Sequence, residues 1–148
     1  MRAVIQYVTR ASVSVEGEVV GRIGPGCVIL LGVGANDTEA EAQRLWNKIW
    51  HLRILKDEAG KTNLSLADVG GEVLIVSQFT LYADCSRGRR PSFAPAGRPE
   101  HAEPLYEHFI ELARAEAPVV ETGVFGAHMQ VELSCDGPFT VELDTDSL

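Results

Sequence analysis

The sequence predicts an α/β domain: mixed, largely antiparallel sheet layers with two helices. Three observations carry this. Short apolar stretches, alternating or continuous and bounded by Gly, Asp and Asn turns, recur along the chain. Only two windows show the three-to-four-residue apolar spacing of a helix. Each of those windows has a single apolar stripe to bury, which puts both helices on one side of the strands. At 148 residues the chain suits one domain, 1–148, with one sizeable core. No repeat, low-complexity tract or linker divides it.

RAVIQYVTRASVSVEGEVVGRIG reads as two strands around the EGE turn, with alternation in Ser12, Val13, Ser14 and Val15. CVILLGVGA is almost wholly apolar and fits a strand covered on both faces. Asn36-Asp37-Thr38 signals a helix start, with Thr38 and Glu41 at capping-box spacing. Behind it Ala42, Leu45, Trp46, Ile49 and Trp50 make one stripe, and both tryptophans complete it as core residues. KDEAGK and ADVGGE read as turns flanking a short segment around Leu64 and Leu66. A strand ending in SQFTL follows. DCSRGRRPSFAPAGRPEH is rich in Gly, Pro and Arg and reads as a long ordered loop, a type that is often functional. The second helix is expected from Pro99, with a stripe of Ala102, Leu105, Tyr106, Phe109, Leu112 and Ala113. Three short strands are expected to close the chain, near residues 119–121, 129–134 and 139–143.

Composition narrows the function classes. With 45% hydrophobic and 23% charged residues the chain is globular rather than disordered. No apolar run reaches the roughly 18 to 20 residues needed to span a bilayer. MRAVIQYVTR has neither the apolar core nor the cleavage site of a secretory signal, so a cytoplasmic location is expected. Cys27, Cys85 and Cys135 form no CxxC pair, and His51, His101, His108 and His128 are scattered, so neither a metal nor a cofactor is expected. The net charge of -8 argues against broad contact with a nucleic-acid backbone. Against that background Arg87, Arg89, Arg90 and Arg98 fall within SRGRRPSFAPAGR, which has no acidic residue. Two readings stand: a solvated loop, or an anion or phosphate site.

Two further stretches could carry chemistry. In SQFTL, strand alternation would set Ser77, Phe79 and Leu81 on one face and Gln78 and Thr80 on the other, the latter pair aimed into one cavity. The hydroxyls could equally bond neighbouring backbone. In CDGPFT, Gly137-Pro138 is either a simple turn between strands or a rigid element that aims backbone groups at a ligand. No GxSxG, HExxH, Walker or GxGxxG motif occurs. Thr80 has no general base nearby in sequence, which makes it a poor nucleophile. Backbone amides at the SQFTL end could form an oxyanion site instead.

Together these stretches resemble the D-aminoacyl-tRNA deacylase (D-tyrosyl-tRNA deacylase) family. The residues that carry it are MRAVIQYVTRASV, SQFTLYAD, GRRPSFAPA, LYEHF, FGAHMQVEL and DGPFT, in family order over nearly the whole chain. The resemblance implies a homodimer that hydrolyses the ester joining a D-amino acid, or mischarged glycine, to the terminal ribose of tRNA. It implies that Ser77, Gln78, Phe79 and Thr80 line the ester pocket, with the Phe79 amide on the carbonyl oxygen. It further implies that Gly137 and Pro138, in a cis peptide, reach across from the partner subunit and reject L-amino acids. Met129, Phe125 and Tyr7 are expected to join them in substrate binding and chiral selection, and the charge of the arginine loop places Arg87, Arg89 and Arg90 as the expected tRNA contacts. The resemblance also favours the ribose 2′-hydroxyl over Thr80 for the chemical step.

The chain departs from the family pattern at three places: Tyr7 stands where Arg is usual, Cys135 where Asn is usual, and His128 where an acidic residue is common. The changes at Tyr7 and Cys135 motivate an alternative, a noncatalytic tRNA-end-binding module of the same fold. A small-molecule esterase unrelated to tRNA is a third reading, without a motif of its own.

Overall fold

One long hairpin organises the chain. In the computed structural model, which describes residues 1–148, β1 (Arg2–Val15) turns at Glu16-Gly17 and is met by β2 (Glu18–Ile23) and then β3 (Gly26–Gly32). Both turn residues have positive φ, 51° and 84°, as a tight hairpin connection requires. Ala11 faces Ile23 and Val8 faces Gly26, so β2 and β3 form one antiparallel partner along one edge of β1. The other edge takes β8 (Met129–Asp144). β3 then pairs in parallel with β6 (Glu72–Ser77), and β6 with β7 (Val120–Thr122). The expected mixed, largely antiparallel sheet is the one observed.

Two cores lie on opposite faces of β3 and β6. Cys27, Ile29, Leu31, Val73 and Ile75 point toward the helices, and Val28, Leu74 and Val76 point the other way. On the second face the hairpin arches back, bringing Val8, Ala11, Val13 and Ile23 onto them. Gly21 permits this close approach, because a Cβ there would lie 2.8 Å from the Thr122 carbonyl oxygen. The expectation that CVILLGVGA is covered on both faces holds for this reason. Burial also pushes the Cys27 thiol up to about 12, helped by the nearby Cys135, so Cys27 stays a neutral core residue.

The helices cover the first face. α1 (Glu39–Trp50) begins at the capping box of Thr38 and Glu41, and all five residues of its expected stripe are buried. Trp46 stacks on Trp50 at 5.5 Å between ring centres and meets Phe109 edge-on at 5.7 Å. Phe109 belongs to α3 (Pro99–Glu116), whose stripe buries Ile110 in addition to the expected residues, while Leu112 is half-buried. No helix is long and apolar enough to cross a membrane.

The structure corrects three local expectations. A further helix, α2 (Leu66–Val69), occupies the stretch read as a turn; Ser65 and Asp68 form its capping box and Gly70 ends it at φ 60°. At four residues it is too short to show periodicity. It follows the small hairpin of β4 (Leu55–Lys56) and β5 (Thr62–Leu64), whose turn is held by Asp57 accepting from the Ala59 and Lys61 amides. Next, the strand read through SQFTL stops at Ser77, and Phe79–Tyr82 is a 3-10 turn. Finally, the two strands expected around Gly137-Pro138 are one strand, β8, with residues 136–139 displaced outward between Cys135, opposite Val8, and Thr140, opposite Gln6. Pro138 cannot donate to the ladder and Gly137 has φ 124°, so the strand bulges where it would otherwise pair.

A buried charge ties the ends of the chain to that 3-10 turn. The Met1 ammonium donates to Asp37 Oδ1 at 2.7 Å and to Thr145 Oγ1. Asp37 Oδ2 accepts the Gly34 amide and, at 3.1 Å, the Tyr82 hydroxyl. Burial, and then Asp37, hold the Tyr82 phenol well above its ordinary value, so it remains a donor. Arg2 lies over the Tyr82 ring at 4.6 Å and donates to the Leu81 carbonyl at 3.0 Å. Asp37→Ala leaves the ammonium buried without its partner and is expected to cost about 3–5 kcal/mol. Tyr82→Phe removes one hydrogen bond and is expected to cost about 1 kcal/mol. Urea denaturation of both variants reads the difference; equal costs would show that the ion pair carries no special weight.

Candidate active site

The parallel pairing of β3 and β6 ends at Leu31 and Ser77, and the chain turns away there. The Gln78 amide still donates to the Leu31 carbonyl at 2.7 Å, which fixes where the 3-10 turn starts. Gly97 donates to the Val33 carbonyl at 2.8 Å and Ala35 to the Pro95 carbonyl at 3.1 Å, so the loop before α3 is pinned beside the same strand end. Between these segments and residues 125–131 lies a cavity of about 580 Å³, within the range of small-ligand sites.

Five residues singled out from the sequence share this cavity: Ser77, Gln78, Phe79, Phe125 and Met129. Thr80 is not among its lining residues. It is exposed, and its hydroxyl oxygen accepts from the Gln78 side-chain amide. The alternation that would have aimed Gln78 and Thr80 together fails because the 3-10 turn rotates residues by about a third of a turn each. The same turn has a chemical consequence. Phe79 and Thr80 open it, and the first amides of such a turn have no acceptor within it.

Aromatic side chains make much of the wall. Phe79, 57% exposed, meets Phe93 edge-on at 5.0 Å, and Tyr106 lies 5.6 Å from Phe125. The Tyr106 hydroxyl donates to the Ile75 carbonyl at 2.9 Å, and burial pushes its phenol up to about 12. Sequence reasoning treated Tyr106 only as part of a helix stripe and gave Phe93 no role; the aromatic in PSFAP was the available signal. Arg98 and His128 also reach the lining.

Gly137 sits elsewhere. With Tyr7, Asp136 and Phe139 it lines a separate cavity of about 360 Å³ that shares no residue with the first. The Gly137–Pro138 peptide is cis, as the resemblance implies. Tyr7 faces the displaced residues 136–139 across the bulge, and the Cys135 thiol reaches the Phe139 carbonyl at 3.9 Å. Arg87, Arg89 and Arg90 lie at the exposed tip of a loop closed by paired backbone bonds between Asp84 and Ser92, at 2.7 and 2.9 Å.

The fold and cavity have known counterparts. A solved structure described as a c-Myc DNA unwinding element binding protein is similar over 97% of this chain and 98% of its own, at 44% identity and a TM-score of 0.92. One described as a probable eukaryotic D-amino acid tRNA deacylase is 18% identical at a TM-score of 0.84, a likeness of fold. The family model for D-Tyr-tRNA(Tyr) deacylase matches residues 4–144. D-aminoacyl-tRNA deacylase of Thermosipho melanesiensis is 56% identical over 98% of this chain and 97% of that protein. Its namesakes of Thermus aquaticus and Jannaschia sp. are 57% and 55% identical, over 98% and 99% of this chain and 95% and 100% of theirs. The chain belongs to the D-Tyr-tRNA(Tyr) deacylase family.

Tyr106→Phe keeps the ring in the cavity wall and removes its bond to Ile75. It is expected to lower stability by only about 1 kcal/mol, read by thermal denaturation, because the Ile75 carbonyl keeps the Gly123 amide at 3.1 Å.

Proposed function

We propose that this chain is a D-aminoacyl-tRNA deacylase, hydrolysing the ester between a D-amino acid and the terminal ribose of tRNA and releasing both. The observation that carries the reading is the cavity on Ser77, Gln78 and Phe79 in a chain 55–57% identical, end to end, with proteins of that name. A D-aminoacyl-adenosine end matches its chemistry. Aromatic walls suit a base, which stacks on such rings in a sequence-tolerant way. The opening amides of the 3-10 turn suit the oxyanion that develops on the ester carbonyl. A tRNA substrate also accords with a cytoplasmic site of action.

Gln78 positions the substrate and Phe79 binds the carbonyl oxygen through its amide. The ribose 2′-hydroxyl assists the attack, water supplies the second oxygen of the released acid, and the ribose oxygen of the broken ester takes a proton. Thr80 fits a supporting role: it lies outside the cavity, is bonded to Gln78, and has no acid or base bonded to it.

Chiral selection calls for a second copy of the chain. Gly137 and Pro138 are exposed and line no part of the cavity, while Phe79 stands exposed at its mouth. In a homodimer the Gly137-Pro138 bulge of one subunit closes the cavity of the other. Its backbone carbonyls take the substrate ammonium and leave no room for an L side chain, so discrimination comes from a clash. Glycine carries no side chain to reject and is hydrolysed too. Met129 and Phe125 shape the pocket, Tyr7 supports the bulge from its own subunit, and Arg87, Arg89 and Arg90 meet the tRNA backbone.

Matched D- and L-aminoacyl-tRNA test the reading directly: turnover of the D form alone is expected, and equal turnover of both overturns chiral selection. Binding of uncharged tRNA with no turnover of any charged species would instead mark a noncatalytic tRNA-end module. Thr80→Ala is expected to stay within about tenfold of the parent rate, whereas Gln78→Ala and Gly137→Ala lose about a hundredfold or more. Abolition by Thr80→Ala, with binding intact, would return the nucleophile to that residue. Co-refolding Gln78→Ala with Gly137→Ala chains restores one intact site per mixed dimer, about a quarter of parent activity. Failure of that rescue, with dimers demonstrated, would place both elements in the same subunit's site.

A further inference from the structure

We infer that Arg98 and His128 form a phosphate subsite at the rim of this cavity, taking the phosphodiester that joins the last two nucleotides of the tRNA acceptor end. The inference rests on the deacylase reading above and adds the group that the enzyme recognises beyond the ester.

Charge distribution is the first support. The chain carries 21 acidic and 13 basic side chains, yet no carboxylate lines this cavity. Its charged or titratable rim consists of Arg98 and His128, with only the bonded phenol of Tyr106 deeper in. The cavity beside Gly137 is the contrast: Glu72 and Asp136 face one lysine there, Lys56. An anion therefore meets net attraction at the first cavity and acidic groups at the second.

The second support is that Arg98 is held in place but uncommitted. Its carbonyl accepts the His101 and Ala102 amides at 2.9 and 2.8 Å, and the preceding Gly97 is bonded to Val33. A Cβ on Gly97 would stand 3.1 Å from the Gly34 carbonyl, so the backbone is packed tightly against that strand end. The guanidinium meanwhile has no intramolecular partner. The three ion pairs of the molecule engage Met1, Arg2 and Arg44, and no hydrogen bond uses the Arg98 or His128 side chain. A planar guanidinium fixed at its backbone and free at its head matches two phosphate oxygens at once, and an imidazole N–H adds a further donor.

Position supplies the third. The ester sits at Ser77–Phe79, and the terminal ribose separates that ester from its own 5′ phosphate. Arg98 and His128 line the same cavity as the ester residues, so one nucleotide reaches both. Arg87, Arg89 and Arg90 are not in the lining and are left for phosphates farther along the strand.

Paired ligands test this independently of turnover. Adenosine 5′-monophosphate is expected to bind the parent protein about tenfold more tightly than adenosine, and the ratio falls toward one in Arg98→Ala and in His128→Ala. Inorganic phosphate is expected to bind far more weakly than either; affinity equal to that of the monophosphate would make this a free-anion site and overturn the assignment. In kinetics, the preference for D-aminoacyl-adenosine bearing a 5′ phosphate over the same ester without one should narrow by a similar factor in Arg98→Ala. A preference untouched in both variants, with thermal stability at the parent value, also overturns it. Absence of turnover by the parent protein on every charged species defeats the deacylase reading alone, since the monophosphate-to-adenosine ratio still decides the subsite.

Discussion

A single buried charge pair sets the geometry on which the rest depends. The Met1 ammonium and Asp37 are both shielded from water, and such a pair is stable only if every remaining lone pair and proton is used. Here most of them are: Thr145 accepts a second ammonium proton, while Gly34 and Tyr82 donate to the carboxylate. Through these bonds the start of β1, the loop before α1, the chain end and the 3-10 turn are held at one point. Gly34 shows how tight that point is, because a Cβ there would lie 2.7 Å from the Tyr82 hydroxyl oxygen. The position of Phe79 thus follows from a residue at the far end of the turn.

From that point the cavity is a consequence of strand endings. β3 and β6 stop together, their last backbone groups are taken by the next segments, and those segments diverge. One becomes the 3-10 turn, and the other runs on to α1 while bridging at Gly34 to Ala96 in the loop before α3. A gap at the carboxyl end of parallel strands is where α/β sheets commonly receive ligands, and the cavity here lies at that end of the short parallel portion. The antiparallel portion serves another end, since its long β8 strand carries Gly137 and Pro138 outward from the sheet.

An acidic protein that acts on a polyanion needs its attraction to be local. The molecule answers with segregation: arginines gathered in one loop free of carboxylates, a cavity free of carboxylates, and acidic residues on the exposed faces of α1 and α3. Such a surface repels the body of a nucleic acid that comes within a Debye length of about 8 Å and favours contact at an end. Recognition of a chain terminus, rather than of a duplex, accords with that field.

Much of the fold was legible because the controlling interactions are local. The Thr38–Glu41 capping box, the Trp46 stripe, the EGE turn and the continuous apolar run of CVILLGVGA are each patterns of residues a few positions apart. The resemblance carried by SQFTL and DGPFT likewise rests on contiguous residues. What only the tertiary structure decided involves partners distant in sequence. Met1 and Asp37 meet across 36 residues, and the cavity gathers segments from Leu31 to Val131. The fate of Gly137-Pro138 is the clearest case. Locally, a Gly-Pro ends a strand; here β1 pairs on both sides of it, so the strand continues and the dipeptide is pushed out opposite Tyr7. In SQFTL the reverse happened: local alternation favoured more strand, but β3 ends at Gly32 and offers β6 no further ladder. A pattern in sequence states what a segment can do, and the presence or absence of a neighbouring strand decides whether it does so.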